Sequence, residues 1–180
     1  SEFDYGDLGE QSLHNVTLYP GGTAENFYGE VSLPTNVSGN YEFHNASVKI
    51  NNLTANKDLN LVDCWITLPA NSVVKNIAIR RGSISGAGSL QVVESSLFED
   101  VVIDSLLFAQ GSAYNRLIRC EINKDVAAIN LKLHDCDVNA HVNNTCIGQE
   151  LVMDIVGNKF NENGFYVPIA LTANSIAKGV

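Results

Sequence analysis

The chain has 180 residues, enough for one or two domains, and is 45% hydrophobic, so it can bury a core and is not disordered throughout. Eleven basic residues face 20 acidic ones, for a net charge of −9, which argues against unspecific binding to nucleic acid or anionic membrane. No apolar run approaches the ~20 residues of a membrane helix, no signal peptide is evident, and sparse charge with frequent Asn suits turn-rich β structure.

Ser1-Glu2-Phe3 reads as a cloning scar, so residues 1–3 are set aside and the remainder is taken as an excised fragment. Residues 4–40 read as an N-terminal cap or an irregular first coil, with loop signals at Gly21-Gly22 and Leu33-Pro34-Thr35-Asn36. Residues 41–165 read as regular coils, and 166–180 as a last strand or truncated edge.

The coils are recognised by a recurring six-residue phrase: a large apolar residue, two polar or turn-forming ones, a small residue, any residue, then another apolar one. It occurs at 13–18, 43–48, 61–66, 79–84, 98–103, 117–122, 133–138 and 155–160. With the small fourth residue as marker, the gaps are 30, 18, 18, 19, 19, 16 and 22. A period of about 19 residues carrying strands and no helix means a β-solenoid of about seven or eight coils. Apolar residues three before the marker (Leu13, Phe43, Leu61, Ile79, Phe98, Leu117, Leu133, Ile155) and two after it (Leu18, Val48, Ile66, Ile84, Ile103, Ile122, Val138, Phe160) form two unbroken columns that should face inward. The residue just before the marker is polar and marks a bend, where Asn and Asp tolerate left-handed backbone. From coil to coil this column reads Asp63, Arg81, Asp100, Arg119, Asp135. Alternating charge reads as a ladder that fixes coil register, with a charged binding stripe as the functional alternative.

Cys64, Cys120 and Cys136 occupy marker positions and read as small buried hydrophobes; Cys146 stands outside the pattern. Cys120 and Cys136 fall on adjacent coils, but side-by-side strands give awkward disulfide geometry. No Cys/His spacing suits a metal.

Function should sit on outward positions. One residue after the marker, Glu121 and Asp137 become neighbours, with Cβ atoms roughly 5 Å apart. Such a pair could serve as catalytic carboxylates of a glycosidase or bind Ca²⁺; otherwise it is two solvated acids beside Lys159. Trp65, the single tryptophan, should face outward in the same column and could stack on a sugar ring. Val62, Ile118, Val156 and Val102 are outward and apolar. His14, His44 and His134 share a column two before the marker, where they read as solvent-facing turn residues. Five Asn-x-Ser/Thr sequons begin at Asn15, Asn36, Asn45, Asn52 and Asn143, a number that so Asn-rich a chain reaches by chance.

These phrases, above all Ile155-Val156-Gly157-Asn158-Lys159-Phe160-Asn161-Glu162-Asn163-Gly164, resemble coils of right-handed parallel β-helices of the pectate-lyase-like superfamily, over about residues 41–165. That superfamily includes polysaccharide lyases, glycoside hydrolases, phage tailspikes and bacterial surface proteins, so the resemblance implies handedness and fold more than activity. Lyases of this type pair Ca²⁺-binding acids with a basic residue. Arg80, Arg81, Arg116 and Arg119 are present, but no companion acid cluster matches. The expectation is therefore a non-catalytic module of a phage tailspike, tail fibre or adhesin. It would contact bacterial surface polysaccharide, form a homotrimer, and be located outside the cell or on a virion, with no nucleic acid or membrane partner. A polysaccharide lyase or glycoside hydrolase and a purely structural spacer are the alternatives.

Overall fold

The computed structural model describes the backbone of residues 3–7, 10–109, 114–144, 152–161, 165–167 and 176–178, and side chains within 17–21, 23–109, 114–143 and 154–161. Those residues form strands and no helix. Every strand pairing is parallel, and the chain stacks as a β-solenoid of about seven turns, about 18 residues apart. Parallel partners joined within one turn keep each residue over its counterpart in the next, so columns of like residues follow from the winding itself.

The register confirms the columns from residue 43 onward. Gly39–Asn51 pairs with Lys57–Thr67, aligning Phe43 with Leu61, Ala46 with Cys64 and Val48 with Ile66. Lys57–Thr67 pairs with Ser72–Ala109, aligning Leu61 with Ile79, Cys64 with Gly82 and Ile66 with Ile84. Later turns break into three short strands each, as in Asn115–Ile118, Glu121–Ile122 and Val126–Ala128. Phe43, Leu61, Ile79, Phe98, Leu117 and Leu133 are all fully buried, and Val48, Ile66, Ile84, Ile103, Ile122 and Val138 nearly so. Each such side chain removed from water contributes on the order of 1.5–3 kcal/mol, so the two columns are the spine of the core. Phe160 departs from the expected column: it is 38% exposed, at the last turn whose side chains are described.

Upstream of residue 43 the register differs from the sequence reading. Val16 pairs with Val31, and Val31 with Ile50, so residues 13–18 do not stack on 43–48. The turn beneath 43–48 is instead Ala24-Glu25-Asn26-Phe27-Tyr28-Gly29, with Ala24 under Phe43 and Tyr28 under Ser47. The cause is an exchange of volume. Ala24 stands where other turns have a large residue, and Phe27 where they have a small one. Both are fully buried, as are Phe43 and Ala46 above them. The total volume fills the layer equally well. With Phe27 as marker, the next turn follows 19 residues later, as elsewhere.

The bend column is left-handed along its whole length: Asn26, Asn45, Asp63, Arg81, Asp100, Arg119 and Asp135 have φ between 49 and 60°, and Gly157 has 73°. Asn and Asp reach this region readily, and Gly at no steric cost. Arg81 and Arg119 are held there by neighbours described below. Successive turns also approach closely at Gly82, where a Cβ would lie 1.8 Å from the Cys64 carbonyl oxygen. Replacing Gly82 with Ala should therefore cost at least ~1–3 kcal/mol, read as a lower urea midpoint by far-UV circular dichroism. An unchanged midpoint would mean that the turns stand further apart at this corner.

Candidate functional site

Outward positions on either side of the bend carry the chemistry. One residue past the marker, Tyr28, Ser47, Trp65 and Ser83 stack in direct register. Tyr28 is 39% exposed and Trp65 51%. Between and beside the rings stand only serines, too short to cover them. Two rings separated by one intervening strand lie about 9.6 Å apart along the solenoid, twice the interstrand spacing. Further along the same column, Val102, Glu121, Asp137 and Lys159 stack in register. Glu121 and Asp137 are direct neighbours and exposed. Glu121 accepts a hydrogen bond from Asn123 at 3.0 Å, and Asp137 one from Asn161 at 2.5 Å. Asn123, Asn139 and Asn161 themselves form a ladder two residues further on, each amide donating to the one before it at 2.9 and 2.5 Å. The acids thus rest on a polar, solvated shelf. A catalytic carboxylic acid is ordinarily set in an apolar pocket that disfavours its charge.

The bend column is a set of ion-paired rungs. Arg81 clamps Asp63 through Nε at 2.7 Å and a second guanidinium nitrogen at 3.1 Å. Arg119 clamps Asp100 likewise at 2.8 and 3.1 Å and also reaches Glu99 at 2.8 Å. One turn earlier in the chain, Asn45 donates to Asn26 at 2.6 Å. The Arg81 hydrogen bond holds the Asp63 carboxyl below its ordinary value, and Arg119 does the same for Asp100. The guanidiniums are raised in return, first by those same hydrogen bonds. The pairs Asp63–Arg81 and Asp100–Arg119 tie neighbouring turns in register, while Asp135 has no ion pair among the described residues. At Gly157 the pattern ends, and a Cβ there would meet Asp135 Oδ1 at 2.1 Å.

Two residues before the marker, His44 contacts Glu42 at 2.6 Å and His134 contacts Asp154 at 2.8 Å. Each histidine has its own acid, and they do not converge. The side chain of His14 lies outside the described residues. Val62, Ile118 and Val156 are separated in this column by Arg80, Glu99 and His134, so they do not merge into one patch.

Cys64, Cys120 and Cys136 are buried and free, as their inward column requires. Cys64 Sγ donates to the Phe43 carbonyl at 3.3 Å, and burial pushes its thiol up to about 11. The neighbouring Cys136 sulfur and then burial also raise the Cys120 thiol. Cys146 lies outside the described residues. Among the described residues no three His, Cys, Asp or Glu side chains gather to hold a metal ion.

Tyr28 escaped the sequence reading because its turn was not recognised. The available signal was Asn26, a bend-type residue 19 positions before Asn45. Ser96 and Asn115, buried polar neighbours in an otherwise apolar column, were also missed. Ser96 Oγ donates to Asn115 Oδ1 at 2.8 Å, and the Asn115 amide donates to the carbonyls of Ala109 and Ile129 at 3.0 and 2.7 Å. They staple one turn to the next.

Comparison of the chain with protein-family models, with curated proteins and with solved structures gave no match.

Two outcomes follow from this geometry. Stability should fall as pH drops below the ordinary aspartate value of 3.8, because the unfolded chain takes up protons that paired Asp63 and Asp100 refuse. In the Asp63→Asn/Asp100→Asn double variant, urea midpoints between pH 5 and 2 should change less steeply than in the parent; an equal slope would show that the rungs contribute nothing. Iodoacetamide at pH 8 should leave Cys64, Cys120 and Cys136 unmodified in the folded protein and alkylate them in urea, read by peptide mass. Labelling of any of the three at the unfolded-chain rate would contradict their burial.

Proposed function

We propose that the chain is a non-catalytic β-helical attachment module, of the right-handed pectate-lyase-like kind found in phage tailspikes, tail fibres and surface adhesins. It contacts bacterial surface glycans from the virion or cell exterior and acts as a homotrimer. The observation that carries this reading is the Tyr28–Trp65 column. Two exposed rings are set on a rigid sheet at a fixed interval and kept uncovered by Ser47 and Ser83. Rings fixed in this way stack on two sugars of one extended chain without having to be ordered on binding. The exposed Leu106 and Phe108, on another face of the solenoid, offer apolar surface for packing between subunits.

A second reading is a polysaccharide lyase or glycoside hydrolase, favoured by the direct pairing of Glu121 with Asp137. Against it stand the exposure of both acids and their Asn partners.

Trp65→Ala should weaken binding to an immobilised bacterial polysaccharide about tenfold, the ~1.4 kcal/mol of one stacked ring, with an unchanged circular dichroism spectrum. Light scattering should give three times the 19.5 kDa chain mass. Equal binding by the variant, or no polysaccharide bound by the parent, would overturn the attachment reading. Polysaccharide cleavage by the parent that is lost in Glu121→Gln/Asp137→Asn would replace it with the enzymatic one.

A further inference from the structure

The four arginines divide into two kinds. Arg81 and Arg119 are each locked onto an aspartate of the preceding turn. Arg80 and Arg116 have no carboxylate partner among the described residues, in a chain that carries 20 acids. These two line the same cavity, of about 180 Å³, together with Asn76, Ala78, Ser95 and Leu97.

The winding explains why the cavity exists. Ala78 follows Asn60 in its outward column, and its methyl group leaves the floor unfilled. Arg116 stacks on Leu97 in register, and its guanidinium carbon lies 5.8 Å from the centre of the Tyr114 ring, which limits where the fork can point. Lys132 follows Arg116 in the same column, outside the cavity lining, and its own neighbour on the next turn is Asp154, which contacts His134. The nearby acids stand at the rim rather than in the hollow. Glu99 bonds Arg119 at 2.8 Å, while Asp58 and Glu94 accept from the Asn76 amide at 2.9 and 3.3 Å. None of the three lines the cavity. Two guanidiniums without a carboxylate partner among the described residues therefore line one hollow of an acidic protein. A guanidinium fork matches a carboxylate two hydrogen bonds at a time, and two forks fix its orientation. The volume falls below the ~300–1,000 Å³ of sites for drug-sized ligands, leaving room for one sugar ring, whose apolar face would meet Ala78 and Leu97.

We propose that this cavity is a subsite for a single carboxylate-bearing sugar residue, its carboxylate held by Arg80 and Arg116. The proposal deepens the glycan-attachment reading and rests on it: Trp65 and Tyr28 would hold the chain through ring faces, and this hollow would select for acid.

The test is a ¹H–¹⁵N NMR titration of the whole chain with D-glucuronate, D-glucose and inorganic sulfate as probes. Glucuronate should shift the amides of Ala78, Arg80, Leu97 and Arg116, while glucose should not, and sulfate should bind at least fivefold more weakly. Arg80→Gln and Arg116→Gln should each weaken glucuronate binding at least fivefold with the spectrum otherwise preserved. Arg116→Lys, which keeps the charge and loses the fork, should recover only part of it. Sulfate binding equal to glucuronate, full affinity in both Gln variants, or no glucuronate shift would overturn the subsite. The two readings fail separately. Polysaccharide binding that needs Trp65 but is accompanied by no glucuronate shift defeats the subsite alone. Glucuronate shifts without any polysaccharide binding defeat the attachment reading and leave the acid site standing.

Discussion

Successive turns of the chain share one stacked corner at which a residue is held in left-handed backbone, from Asn26 through Asp135 to Gly157. That conformation is costly for most residues, so it fixes where this corner falls in the sequence and lets each turn settle only where its corner lies on the corner beneath. Once the corners are stacked, the registers of the flanking strands are no longer free. Phe43, Leu61 and Ile79 must lie over one another on one side of the corner, and Val48, Ile66 and Ile84 on the other. The core, the close approach at Gly82 and the outward ladders all follow from that alignment. Arg81 and Arg119 show how strong the constraint is. Neither favours this backbone intrinsically, yet each adopts it where a carboxylate one turn away receives its guanidinium along two hydrogen bonds.

The corner is also why so much of the fold was legible. A motif that must place apolar residues at fixed offsets from a polar bend leaves a signal in every turn. From residue 43 the reading and the registers agree. Failure came where physics permits a substitution that the pattern did not. Interchanging large and small residues between Ala24 and Phe27 preserves the volume of the layer while erasing the signature that marked the others. The six residues at 13–18 matched by composition alone, and Val16 belongs to another column. Phe160 fitted its column by type, but type does not report what stands above a residue.

Outward positions were legible in a different way. Because strand periodicity fixes which side chains face out, the sequence placed Glu121 beside Asp137 and Trp65 in the same column. It did not reveal what else each group touches. That the acids take hydrogen bonds from Asn123 and Asn161, or that Arg80 and Arg116 flank an empty floor at Ala78, depends on side-chain reach across several turns. No one-dimensional period encodes that. The sorting of the arginines into occupied and unoccupied pairs appears only when distances are known.

The rungs of the bend column also bear on how such an array grows or shrinks. Asp63 is answered by Arg81 and Asp100 by Arg119, so the electrical repeat is two turns while the structural repeat is one. Loss of a single turn carrying Arg81 would set Asp63 directly against Asp100, two like charges at strand spacing. Loss of both turns up to Asp100 would set Asp63 against Arg119 and restore a rung. Gene rearrangements that add or remove material from this region therefore meet a parity rule. Even numbers of turns splice smoothly, and odd numbers carry an electrostatic scar that the next mutations must repair.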